Sequence, residues 1–131
     1  MRVAVVGSRN INNKKEIFDI LSRYDISIVV SGGALGVDTI AEEYAENINI
    51  GTDIYLPDWK KYGKSAGFIR NKDIINNSDM TIAFWDGKSK GTLNSIEYSR
   101  KINHPTIVWI FQDNIIYNWN MDYSNSKLFE E

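Results

Sequence analysis

The chain contains no cysteine and only one histidine, His104. Disulfides and thiolate metal sites are therefore excluded, and a zinc centre is not expected. No apolar run approaches the roughly 18 residues that a transmembrane helix needs, so no membrane partner is expected. A signal-peptide pattern is also missing, because Met1-Arg2 leads straight into a strand-like run; the expected location is the cytoplasm. Excess charge of one sign is lacking too: 15 lysines and arginines stand against 17 acidic residues, a net charge of −2. A field of that sign does not attract a polyanion, and on its own it argues against DNA or RNA as a partner.

What is present is an ordinary soluble composition in 131 residues, 43% apolar and 24% charged, enough for one domain with a real core. The richness in Ile, Asn, Lys and Tyr points to an AT-rich genome, bacterial or viral. Five short runs rich in β-branched or aromatic residues punctuate the chain: Val3 to Val6, Ile26 to Val30, Thr52 to Leu56, Met80 to Phe84 and Thr106 to Phe111. Such continuous apolar runs fit strands buried on both faces, as in a parallel sheet covered by helices. Helical spacing lies between them. Ile17, Ile20, Leu21 and Tyr24 follow i, i+3, i+4, i+7, with Asn13 and Glu16 placed for a capping box. Val37, Ile40, Ala41, Tyr44, Ala45 and Ile48 form the strongest stripe, and two further helices are predicted over about 66–76 and 92–102. Alternating strand and helix predicts a Rossmann-like, doubly wound α/β domain over 1–111, with a mostly parallel sheet of about five strands and helices on both faces. Residues 112–131 read as an extension, a short strand or docked segment followed by a frayed end.

In open sheets of this class ligands bind beyond the carboxyl ends of the strands, so chemistry is sought in the loops that follow them. The first strand ends in Gly7-Ser8-Arg9-Asn10, either a plain turn or a close backbone approach with a hydroxyl and a guanidinium beside it. The second runs into Ser31-Gly32-Gly33-Ala34-Leu35-Gly36-Val37-Asp38 at the start of the best helix. Glycines admit an anion to backbone N–H groups and the helix dipole attracts it, so this loop reads as a phosphate cradle. Asp38 is open to two readings, a contact to a sugar hydroxyl or a neighbouring loop, or simply a favourable partner of the helix dipole. The third loop, 57–67, interleaves Trp59 and Tyr62 with lysines and leads to Arg70-Asn71. Either it covers a base and phosphates, or it is a packed cover with solvated charges. The fourth, Asp86 to Ser95, offers Ser89, Gly91 and Thr92 before another helix, a second set of donors facing the same end of the sheet.

Taken in order, Gly7-Ser8-Arg9, Ser31 to Asp38, Asp58-Trp59 through Ala66-Gly67, Ile69-Arg70-Asn71 and Ser89-Lys90-Gly91-Thr92 resemble the YspA-like branch of the SLOG superfamily over about residues 1–111. That superfamily includes the Lonely-guy phosphoribohydrolases and the DNA-processing protein DprA. The resemblance implies a Rossmann-like fold, a crevice between two glycine-rich loops, nucleotide-derived ligands, and a bacterial or phage setting. The ligand-binding residues it implies are Gly7, Ser8, Arg9, Gly32, Gly33, Gly36, Asp38, Trp59, Arg70, Asn71, Ser89, Gly91 and Thr92, with no cofactor and a metal held only through ligand phosphates. It also points to a homo-oligomer. The related hydrolases use an arginine, matched by Arg70, and a glutamate three residues after a Gly-Thr pair. Here Gly91-Thr92 match the pair, but the glutamate position holds Ser95. Binding of a nucleotide-like ligand is thus the leading expectation, and phosphoribohydrolase-type cleavage the alternative. Arg70, Asp86 and Glu97 are the catalytic candidates.

Overall fold

A computed structural model describes residues 1–119. Six strands form one sheet in the order β3-β2-β1-β4-β5-β6: β1 (Arg2–Gly7), β2 (Ile28–Ser31), β3 (Gly51–Ile54), β4 (Met80–Trp85), β5 (Thr106–Gln112) and β6 (Ile115–Trp119). The first five are parallel, and β6 returns antiparallel to β5 through Asp113 and Asn114. Those two residues take φ of 52° and 64°. Positive φ at both central positions is what a two-residue hairpin turn matching the strand twist requires, and Asp and Asn tolerate it. The extension beyond residue 111 therefore begins as a hairpin strand, one more than the five expected; the frayed end lies outside the described residues.

Alternation along the central strands sorts side chains to two cores. Val3 and Val5 of β1 join Ile82 and Phe84 of β4 beneath α1 (Lys14–Leu21) and α2 (Val37–Asn47). Ala4 and Val6 face the other way, with Ala83, Val108 and Ile110, against Ile74 of α4 (Ala66–Asn76) and Ile96 of α5 (Lys90–Lys101). With helices on both sides, β4 is buried along its whole length. The buried stripe of α5 includes Thr92, Ser95 and Ser99, whose short side chains let the helix lie close to the strands.

Several expectations need correction. Asn13 precedes α1, but no side-chain cap bond forms there, so the capping box is absent. Ile48 lies past the end of α2 and is exposed. The third run is not buried on both faces: β3 is an edge strand, mostly exposed, and Leu56 beyond it is 71% exposed. The third loop is not irregular but coils into α3 (Trp59–Tyr62) and a 3-10 turn over Gly63–Ser65. The Asp58 carboxylate starts α3 by accepting the Lys61 N–H at 3.0 Å. Among the described residues no helix is long and apolar enough to cross a membrane.

Phe84 has no exposed surface and meets the Phe111 ring edge-on at 5.7 Å. Phe84→Ala is expected to lower unfolding free energy by about 3–5 kcal/mol, read as a drop in the urea midpoint at unchanged slope.

Candidate functional site

The strand order reverses between β1 and β4, and a cavity of about 480 Å³ opens there beyond the strand ends. Five segments wall it: Gly7, Arg9 and Asn10 after β1, Ala34 and Asp38 after β2, Trp59 and Lys64 around α3, one face of α4, and the start of α5. The α4 face is Gly67, Arg70, Asn71 and Ile74, spaced i, i+3, i+4, i+7. That stripe mixes charge, amide and aliphatic, so a search for apolar periodicity passes over it. Phe68, half exposed, adds a second aromatic ring to the lining beside that of Trp59. Asn10, Ala34, Lys64, Phe68 and Ser95 line the cavity without having been singled out as binding residues; helical spacing from Arg70 and Thr92 reaches Gly67, Ile74 and Ser95.

Four of the expected binding residues stand behind the wall. Ser8 is buried, accepts the Asp86 N–H at 3.2 Å and lies 3.5 Å from the Thr92 hydroxyl, stapling the loops after β1 and β4. Gly32, Gly33 and Gly36 do not line the cavity. Packing accounts for two of them. A Cβ on Gly32 would sit 2.6 Å from Arg70 Nη1 and 3.0 Å from Asp38 Oδ2, and one on Gly36, whose φ is 76°, would strike the Arg9 and Ser8 carbonyls. The first glycine loop is thus closed on itself. The Asp38 carboxylate accepts the Ala34 N–H at 3.1 Å, the Arg70 guanidinium donates to the Gly32 carbonyl at 2.7 Å, and Thr39 Oγ1 donates to the Ala34 carbonyl at 2.9 Å.

The second loop is built the opposite way. Asp86 Oδ1 accepts the N–H groups of Lys88 and Ser89, both at 2.8 Å, and Ser89 Oγ accepts from Thr92 N and Oγ1. This turn leaves the Lys90 and Gly91 N–H groups at the start of α5 without a partner among the described residues. A Cβ on Gly91 would meet nothing within 4 Å. Burial would raise the Asp86 carboxyl, but the donors from Ser89, Lys88, Asn10 and Ser8 outweigh it and hold it below its ordinary value. Asp86 therefore shapes a turn, with its lone pairs occupied, and lies outside the cavity lining. Glu97 is elsewhere, on a separate surface hollow with Arg100, Lys101 and Asn103; two residues beyond Ser95 on a helix, it is turned about 200° away. Ser95, 2% exposed, reaches the cavity itself.

Arg70 donates through Nε to Asn71 Oδ1 at 3.1 Å, which aims both side chains. Burial lowers its pKa, Asp38 opposes that fall, and Arg9 across the cavity adds to it. Burial pushes the Asp38 carboxyl up to about 6, against the Ala34 N–H and Arg70, with Glu42 adding to the rise.

A mostly parallel sheet whose strand order reverses, with a crevice over the switch point, defines the Rossmann-like α/β fold class. Sequence comparison narrows this. The YspA, cpYpsA-related SLOG family matches residues 1–62, and the Gene 61 protein of Mycobacterium phage D29 is 33% identical over 118 residues, covering 81% of this chain and 94% of the phage protein. The chain belongs to the YspA, cpYpsA-related SLOG family. Among solved structures it is similar to DNA processing protein A (DprA) from Streptococcus pneumoniae, with a TM-score of 0.69 at 20% identity, over 82% of this chain and 49% of that one. DprA from Helicobacter pylori gives a TM-score of 0.66 at 25% identity, over 82% of this chain and 64% of that one. The chain spans about half to two thirds of these DprA chains. The expectation that nucleic acid is not a partner is overturned here, because the Helicobacter pylori protein of like fold is described by its single-stranded DNA binding mode. The physical reason is that net charge averages the whole surface, whereas charge is local: α3 and the turn after it gather Lys60, Lys61 and Lys64 in five residues.

Because the folded Asp38 value lies above that of an unfolded aspartate, protonation favours the fold. That contribution is complete below about pH 4 and lost as pH rises through about 6, a swing of about 3 kcal/mol at most. Asp38→Asn, which cannot ionise, is expected to gain stability relative to wild type between pH 4 and pH 7.5, measured by urea denaturation at each pH. A constant difference across that range would show that the carboxyl is not held above its ordinary value.

Proposed function

We propose that this protein binds a phosphate-bearing nucleotide or nucleotide derivative in the cavity, as a sensor or sequestering module. One observation carries the reading. Among the described residues, Arg9, Arg70 and Lys64 share the cavity with a single carboxylate, Asp38, and with Gly91, whose N–H has no partner, so the pocket has a surplus of donors and positive charge. Phosphate would sit at Gly91, Thr92 and Ser95 with Arg9 and Arg70 balancing it, and a base would lie between Trp59 and Phe68. Hydrolysis has less support: the position of the Lonely-guy glutamate is Ser95, Asp86 is spent on its turn, and Glu97 lies outside the cavity.

A second reading has its own observation. Trp59 and Tyr62, 56% and 41% exposed, alternate with Lys60, Lys61 and Lys64 along the rim, a stacking-and-charge surface suited to single-stranded nucleic acid. The fold shared with the Helicobacter pylori DprA supports it.

Nucleoside phosphates are expected to raise the melting temperature where free bases do not, and Arg70→Ala to weaken their binding by about 1.5–3 kcal/mol. Equal shifts from base and nucleotide would remove the phosphate site. The double variant Lys60→Ala with Lys61→Ala separates the two readings, since it should weaken a short oligothymidine in fluorescence anisotropy, with a shallower salt dependence, and leave mononucleotides unaffected. Chromatography of a nucleoside monophosphate left with the protein for hours should show no released base.

A further inference from the structure

The two glycine-rich loops at the cavity look alike in sequence and are filled differently. At the α5 start the Lys90 and Gly91 N–H groups are unpartnered, and the Ser95 hydroxyl, on a residue 2% exposed, lines the cavity with no hydrogen bond among the described residues. An oxygen-rich anion in the cavity would satisfy the last two, which belong to cavity-lining residues. At the α2 start an anion is already in place. Asp38, 8% exposed, takes the Ala34 N–H at 3.1 Å, and its Oδ2 lies 3.0 Å from where a Cβ of Gly32 would stand, so no side chain or ligand atom fits between carboxylate and loop. Arg70 reaches the same face of Gly32, its Nη1 2.6 Å from that Cβ position and donating to the Gly32 carbonyl at 2.7 Å. Thus the same guanidinium that faces the cavity is tied to the loop that the carboxylate closes.

Resting on the nucleotide reading above, we propose that Asp38 is a built-in anion that sets specificity: it occupies the first glycine loop in place of a ligand phosphate, so the cavity takes a ligand with one phosphoryl group at the α5 end and rejects one whose further phosphates reach the α2 end. Charge count supports this. Arg9, Lys64 and Arg70 against Asp38 leave the cavity at about +2, which a phosphate monoester of about −2 neutralises. A triphosphate brings excess negative charge and must place some of it against the Asp38 carboxylate in a partly desolvated space, where like charges repel strongly. The part of the ligand nearest Asp38 is then uncharged and bears hydrogen-bond donors, as sugar hydroxyls do.

The test is calorimetric titration of the full chain at pH 7.5, without divalent cations, using the four ribonucleoside monophosphates and the matching triphosphates. The wild-type protein is expected to bind its preferred monophosphate about tenfold or more tighter than the triphosphate of the same base. Asp38→Asn keeps a carbonyl oxygen to accept the Ala34 N–H and removes the charge, so the gap should narrow at least about threefold, through a gain in triphosphate affinity. Triphosphate binding to wild type as tightly as monophosphate overturns the assignment of Asp38 and leaves the nucleotide reading standing. So does an unchanged ratio in Asp38→Asn. Failure of every nucleotide to bind wild type overturns both. If the variant does not fold, the wild-type order of affinities decides alone.

Discussion

The carboxyl end of the sheet depends on one close approach, the Asp38 carboxylate and the Arg70 guanidinium converging on the bare face of Gly32, 3.0 Å and 2.6 Å from where its Cβ would stand. Neither group could be buried alone at tolerable cost. Together they satisfy loop backbone that would otherwise be stranded, and they tie α2 to α4 across the sheet edge. The crowding also dictates sequence, because any side chain at position 32 would occupy the space of the guanidinium. The shape of the cavity follows from that tie, since Asp38 and Ala34 form one wall and Arg70 and Asn71 another.

Much of this architecture was legible before any coordinates. The apolar runs at 3–6, 80–84 and 106–111 are central strands because they are uninterrupted, and α2 and α4 begin and end close to where spacing and loop chemistry put them. What stayed hidden has physical reasons. The run at 52–56 reads like its neighbours, yet edge position is a property of strand order, which no single strand encodes. Asn13 and Glu16 have the spacing of a reciprocal cap, but spacing does not make the bond form. The lysine-rich segment after Asp58 looks irregular because its helix is only four residues long and has no buried face.

The candidate site divides in the same way. The glycines that read alike in sequence have different surroundings: Gly91 has open space where a Cβ would stand, whereas at Gly32 and Gly36 that space is taken by contacts within the protein. Glycine spacing alone does not separate these cases. The distinction depends on what stands opposite, and for the first loop that is Asp38, whose position in the first turn of a helix leaves a loop contact and a dipole partner equally open. Membership of the SLOG family and the DprA-like fold account for the architecture that the two loops share, while these local differences set them apart.

The tryptophans are distributed in a way that has a practical result. Trp85 is buried in the sheet and stacks on Trp119 at 6.0 Å, whereas Trp59 stands more than half exposed at the cavity mouth. An indole in water and one in a packed core differ in emission wavelength and in access to a quencher. The chain therefore carries an intrinsic optical reporter at the mouth of its own cavity, set against indoles in packed surroundings.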